Sequence, residues 1–214
     1  MPRTFTEEKT VFKFEELDES AQSKALDYFR ESACADSWWY ESIYEDTARI
    51  FDILGIYSEK RVPLMNGKTR TKPAIWFSGF ASQGDGACFE GSYSYKKGSA
   101  KAIREHAPQG SELHRIADEL QALQRRAVYS LSASVKHRGH YYHSGCTSID
   151  VEDSRRPYDI DSELEEGVAQ GLRDLMDWIY KQLESEYEYQ TSNDCIRENI
   201  DANGYEFDES GNLA

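Results

Sequence analysis

The chain has 214 residues, 39% hydrophobic and 30% charged, with 14 Tyr, 9 Phe, 4 Trp and a net charge of −14. So many bulky aromatics exclude a disordered chain, which lacks the apolar groups that offset ordering entropy. The length suits one large domain, residues 1–214, with an acidic C-terminal third.

In chain order, Lys9 to Phe14 predicts a short strand. Asp18 can cap a helix through about Ala33, with Ala21, Ala25, Leu26 and Phe29 at helical spacing on its buried side. A second helix starts near Asp36 or Ser37 and ends at Gly55. Val62 to Pro73 is a basic, turn-rich connection around Asn66-Gly67. Ala74 to Phe80 and Ala87 to Tyr95 predict an antiparallel hairpin joined by Ala81 to Gly86. Helices follow near Ser99 to His106 and Ser111 to Arg126. Tyr129, Leu131, Ala133 and Val135 alternate with serines and Lys136, the clearest strand in the sequence. It is expected to turn at Arg138-Gly139 and to return from Tyr141 to Val151, with a bulge near Gly145.

A long helix begins at Ser162, where Ser162 and Glu165 read as a capping box. Leu164, Val168, Leu172, Leu175, Ile179 and Leu183 form its buried seam. A short helix from Asn193 or Asp194 to about Ala202 precedes a final Tyr205 to Phe207 segment. The order of elements predicts an α+β fold, an antiparallel sheet of four or more strands packed with several helices.

Charge is unevenly distributed. Residues 1–59 carry 14 acidic and 6 basic groups, residues 60–138 carry 6 and 14, and residues 147–214 carry 19 and 5. A strongly acidic third repels phosphates and attracts basic surfaces on other proteins. Glu163, Glu166, Asp174, Asp177, Glu184, Glu186 and Glu188 on the long helix are therefore the candidate partner-binding residues. An acidic ridge of this kind can occupy a nucleic-acid groove on a target. The basic middle, with Lys96, Lys97, Lys101, Arg104, Arg125, Arg126 and Arg138, offers the competing reading, direct contact with nucleic acid.

Chemistry, if present, belongs at two hairpin tips, residues 82–88 and 136–146. Cys88 as nucleophile, His137 or His140 as base and Asp85 as its orienting carboxylate are the catalytic candidates. If Arg138-Gly139 is a two-residue turn, His137 and His140 face one side of the sheet and His143 the other. That geometry opposes a shared metal, and HExxH or paired-Cys spacing is absent, so neither a metal nor a cofactor is expected. The residues favour binding over catalysis. Cys34, Cys88, Cys146 and Cys195 are scattered, which reads as reduced thiols. No apolar run approaches the roughly 18 residues that span a bilayer, and Met1 to Lys13 has no signal-like apolar core. No membrane contact and a cytoplasmic location are expected, in the host cell if the protein is phage-encoded.

Trp76-Phe77-Ser78-Gly79-Phe80, the run Gln83 to Gly91 and the run His137 to Gly145 resemble an uncharacterised family of phage and prophage proteins. Members are sometimes labelled antitoxins of toxin–antitoxin systems, and the resemblance extends from about Lys9 to Phe207. It implies an accessory protein of a mobile element that meets host defence or toxin proteins, and it transfers no catalytic residue. The expected function is stoichiometric inhibition of such a protein, in an anti-CRISPR or anti-restriction manner, by an acidic surface that stands in for nucleic acid. An enzyme acting on a nucleotide or nucleic acid through the two tips is the alternative.

Overall fold

The computed structural model describes residues 9–35, 38–65 and 67–214. The elements are α1 (Glu19–Ala33), α2 (Trp38–Leu54), β1 (Ile56–Tyr57), β2 (Lys60–Pro63), β3 (Thr69–Lys72), β4 (Ile75–Phe77), β5 (Ala87–Phe89), β6 (Gly91–Ser94), α3 (Ser99–His106), α4 (Ser111–Arg126), β7 (Leu131–His137), β8 (Thr147–Asp153), α5 (Ser162–Gln190) and α6 (Asn193–Asn203). The fold is α+β. Contacts divide the chain into two compact units, Glu41–Glu184 and the pair of segments Met1–Tyr40 and Ser185–Ala214.

In the unit of residues 41–184, one antiparallel sheet has the strand order β1-β6-β7-β8. Its pleat separates two kinds of residue. Ile56, Tyr93, Ala133 and Val151 form one buried row across all four strands, flanked by Leu131 and Val135. Ser92, Ser134 and Asp150 form a row on the opposite, polar face, as do Ser94, Ser132 and Glu152. Such alternation belongs to a sheet covered by helices on one side only. The predicted Ala87–Tyr95 strand is divided in two. Gly91, at φ 157°, lies so close to the Tyr57 carbonyl that a Cβ there would be 2.2 Å from it. β5 therefore pairs with β4 and β6 with β1 and β7.

α4 and α5 pack antiparallel. Gly167 faces Leu123, Gly171 faces Leu120, and a Cβ on either glycine would come within 2.9 and 3.0 Å of the leucine methyls. Ion pairs close the two ends of this seam, Arg126 to Glu163 at 3.0 Å and Arg115 to Asp174 at 2.6 Å. The six seam residues expected on α5, from Leu164 to Leu183, are all buried. The cap differs from expectation by one residue. Asp161, not Ser162, accepts the Glu163 N–H at 2.9 Å, and its carbonyl accepts from Glu165 at 3.0 Å, so Ser162 is already inside the helix. A carboxylate satisfies the first N–H groups and also favours the positive helix end.

The unit of residues 9–40 with 185–214 is built on α1 and α6. Asp18 caps α1 as expected, accepting the Ala21 N–H at 2.7 Å. Phe14, Leu17, Ala21, Ala25, Leu26, Ile196, Ile200 and Phe207 form its core. The predicted Lys9–Phe14 strand reduces to a single bridge, in which Phe12 and Phe207 exchange backbone hydrogen bonds of 2.8 and 2.9 Å. The chain then turns at once into a 3-10 helix, Phe14–Glu16, which buries Phe14. The expected start of the second helix at Asp36 or Ser37 falls outside the described residues. Among the described residues, no helix is long and apolar enough to cross a membrane.

The fully buried Gln124 joins helix to sheet where β6 runs out. Its amide donates to the Leu131 carbonyl at 2.8 Å and accepts the Leu131 N–H at 3.2 Å, in the manner of another strand residue. Gln124→Leu strands both backbone groups and is expected to cost about 2–6 kcal/mol of stability, because each unsatisfied buried group costs about 1–3 kcal/mol. Urea denaturation measures this, and a loss below about 0.5 kcal/mol would show that the amide is dispensable.

Candidate functional site

The two hairpin tips singled out in the sequence do meet. Gly86 packs against His143, and Gly84 lies 3.3 Å (from its Cβ position) from the Tyr141 ring. The second tip differs in form from expectation. β7 and β8 pair His137 with Thr147, and the Arg138 N–H donates to the Cys146 carbonyl at 2.7 Å, which leaves residues 138–146 as a loop. Arg138-Gly139 is thus no two-residue turn, and His137 does not oppose His140. The expected bulge near Gly145 is a 3-10 turn, Ser144–Cys146, which resets the strand phase.

Cys88 lies in β5 with no exposed surface, and burial pushes its thiol up to about 12. A thiol so placed stays protonated at neutral pH and is shielded from substrate. Asp85 is occupied by its own loop. Its Oδ2 accepts the Ser82 N–H at 2.7 Å and the Ala81 N–H at 3.0 Å. The Ser82 bond first, with Ala81 assisting, holds its carboxyl below the usual range. His137 contacts the Tyr141 carbonyl through Nε2 at 3.0 Å, and its ring lies 5.1 Å from that of Tyr142. His140 stands edge-on to Tyr141, ring centres 5.3 Å apart. The structure therefore gives Cys88 and Asp85 structural surroundings, leaves His137 half-buried at the end of β7 and puts His140 on the exposed loop that follows.

Sequence reasoning missed a different pair. His143 Nε2 lies 3.5 Å from Cys146 Sγ, and His143 Nδ1 accepts the Gly145 N–H at 3.0 Å. That backbone bond leaves the neutral ring's proton on Nε2, directed at the sulfur. In an extended strand residues three apart face opposite sides, whereas in a 3-10 turn they eclipse, and this turn was not visible in the sequence. Beside the pair, Lys60 Nζ sits 4.4 Å over the Trp76 ring and donates to the Ile75 carbonyl at 3.0 Å. Burial, followed by the charge of Lys72, lowers the Lys60 ammonium pKa. Tyr142 runs nearly parallel to Trp76, at 6.5 Å and 14°. Among the described residues, no group of three or more His, Cys, Asp or Glu is placed to hold a metal ion.

The candidate carboxylates of α5 separate by environment. Glu163 and Asp174 are held by Arg126 and Arg115. Arg115 also holds Glu112 and Glu119, at 2.7 and 2.6 Å, and its guanidinium pKa is raised, first by Glu112 and then by Asp174. Glu166, Asp177 and Glu184 enter no ion pair among the described residues. Their spacing of 11 and 7 residues returns them to within about 20° of one another on an α-helix, over about 27 Å. Lys181 stands exposed nearby on this helix. In the other unit, Glu186 accepts from Gln190 at 2.8 Å, and Glu188 is exposed.

That other unit holds the more concentrated charge. Residues 1–40 and 185–214 carry 17 acidic and 6 basic groups, net −11, and leave residues 41–184 at −3. Among its described acids only Asp27, held by Arg30, is in an ion pair. On α6, Asp194, Glu198 and Asp201 recur at i, i+4 and i+7 and are exposed, while Ile196 and Ile200 are buried on the other side. The Tyr189 hydroxyl pKa is raised by Cys195 first, then Glu198, with Glu186 contributing, so these groups share one neighbourhood. Four of the seven cations named in the basic middle are in ion pairs among the described residues. Lys96 pairs with Asp52, Lys101 with Glu105, Arg104 with Asp118 and Arg126 with Glu163.

Fold and site together define an α+β protein with a cysteine–histidine turn beside an aromatic loop and a strongly acidic unit. The chain belongs to the family described as a domain of unknown function (DUF8835), whose model matches residues 39–193. No curated protein and no solved structure matches the chain.

Two outcomes follow for the tips. Iodoacetamide applied to the native protein is expected to label Cys146 and to reach Cys88 only after unfolding. Early modification of Cys88 would contradict its burial. The folded-state pKa of Asp85 lies below that of an unfolded aspartate, so its stabilisation is present above the ordinary carboxylate range. It is lost as pH falls through the depressed value. Asp85→Asn should therefore lower the melting temperature near pH 7 and lose its effect at strongly acidic pH. A deficit independent of pH would point to some other cause.

Proposed function

We propose that the protein acts by stoichiometric binding to a partner with a basic, nucleic-acid-binding surface, and that the unit built on α1 and α6 makes the contact. The observation that supports this reading is the net charge of −11 on that unit, with Asp27 its only described acid in an ion pair. A surface of one sign steers an oppositely charged partner and repels nucleic acid itself. Asp194, Glu198 and Asp201 span about 10 Å of α6, since each helical residue advances about 1.5 Å. Glu186 and Glu188 belong to the same unit.

Glu166, Asp177 and Glu184 extend the acidic character of α5 more sparsely. Three carboxylates stand over about 27 Å, where duplex DNA would carry about 16 charges, so the likeness to nucleic acid is one of sign and not of density. The class of target, a host defence protein or a toxin whose active groove takes nucleic acid, follows from the resemblance to phage and prophage proteins. A mobile-element inhibitor of that kind occupies the groove and performs no chemistry of its own.

The test compares two baits, the wild-type chain and an Asp194→Asn, Glu198→Gln, Asp201→Asn variant, in lysate of the cells that make the protein. A partner held by the wild type, lost from the variant and displaced by added duplex DNA is the expected result. Identical captures by both baits, or a partner indifferent to DNA, would end the proposal. Equal circular dichroism spectra for the two baits exclude misfolding as the cause of a loss.

A further inference from the structure

β2 and β3 form an isolated two-stranded ribbon, with Lys60 opposite Lys72, Arg61 opposite Thr71, Val62 opposite Arg70 and Pro63 opposite Thr69. Every described residue from Pro63 to Thr71 is exposed. Residues 60–72 contain five cations, Lys60, Arg61, Lys68, Arg70 and Lys72, and no acid. A lone hairpin is marginal in water, and these strands bury almost nothing beyond Lys60, Val62 and Lys72, so the core does not explain their composition. The tip is also unusual. Met65 is fully exposed and Leu64 is 42% exposed, two large apolar side chains between the cationic strands.

The cations divide between the two faces of the ribbon. On one face Lys60 turns to Trp76, while Lys72 and Arg70 share Glu41 at 3.1 and 3.7 Å. The other face carries Arg61 and Pro63 from β2 with Thr69 and Thr71 from β3. Arg61 is in no ion pair among the described residues. With five cations and no acid in residues 60–72, this arm is positive in composition, in a chain whose net charge is −14.

We propose that the β2–β3 ribbon is a duplex-DNA-binding arm. A two-stranded ribbon is one of the two protein elements that the B-form major groove, about 12 Å wide, admits. Four residue pairs give an arm about 14 Å long, enough to lie along the groove floor. Arg61, Lys68 and Arg70 meet phosphates, and the Thr69 and Thr71 hydroxyls donate to phosphate oxygens beside them. Leu64 and Met65 reach the base edges, where apolar side chains contact the thymine methyl. A-form RNA has a deep, narrow major groove that excludes such an arm, so the geometry selects DNA. This site depends on none of the carboxylates assigned above.

Fluorescence anisotropy of a short labelled duplex DNA, titrated with the full chain at several salt concentrations, tests the arm. The wild type is expected to bind at low salt, with affinity that falls linearly in log–log form as salt rises. Arg61→Ala, Lys68→Ala and Arg70→Ala together should weaken binding about tenfold or more and flatten the salt slope by about 3. Leu64→Ser with Met65→Ser should leave that slope unchanged and weaken binding to A·T-rich more than to G·C-rich duplexes. No binding by the wild type at low salt would overturn the proposal, as would undiminished binding by the triple variant. Preference for a single-stranded oligonucleotide or for phosphatidylserine vesicles over duplex DNA would equally overturn it. All five substituted positions are exposed, and an unchanged thermal melt verifies that the variants are folded.

Discussion

The close approach of α4 to α5 organises the unit of residues 41–184. Gly167 and Gly171 favour it, because a Cβ at either position would oblige the Leu123 or Leu120 methyls to shift. With the two axes brought together, Arg115 and Arg126 reach across to Asp174 and Glu163. Gln124, on the same stretch of α4, is then positioned to bond both backbone groups of Leu131 and to continue the sheet ladder. One helix pairing thus sets the ion pairs, the start of β7 and the burial of the α5 seam.

The same pairing decides which charges remain available to a partner. Its arginines remove Glu163 and Asp174 from the acidic face read from the sequence, and α3 and α4 match several of their cations with Asp118, Glu105 and Glu112. A net charge near zero on this unit is therefore an internal balance. The unit of α1 and α6 has no comparable set of cations, and most of its described acids are exposed. Exposed pairs of the first kind contribute little to stability, about 0–1 kcal/mol each, but they do cancel the field that a partner would feel.

Much of the architecture was legible because single residues carried the signals. The Ser-alternating strand β7, the Asp18 cap, the bounds of α3 and α4 and the α5 seam all follow from local periodicity and capping. The β2–β3 ribbon was missed for a physical reason. Lys-Arg-Val-Pro and Thr-Arg-Thr-Lys bury almost nothing, so they show no apolar alternation to read. The 3-10 turn at Ser144–Cys146 is what brings His143 to Cys146, a juxtaposition that strand periodicity does not reveal. Partners 37 and 59 residues apart, such as Arg126 with Glu163 and Arg115 with Asp174, leave no local trace, so the loss of those carboxylates from the acidic face needed coordinates.

Gln124 has one more effect, on how the molecule comes apart. A side chain that completes the ladder at Leu131 ties the final turn of α4 to the first residue of β7, so fraying of the helix end and unzipping of the strand become a single event. Glutamate, of nearly the same shape, cannot replace it at neutral pH, because a carboxylate has no hydrogen to give the Leu131 carbonyl. A replacement that keeps both bonds must give and take a hydrogen bond at that reach, a narrower choice than a place on a helix would suggest.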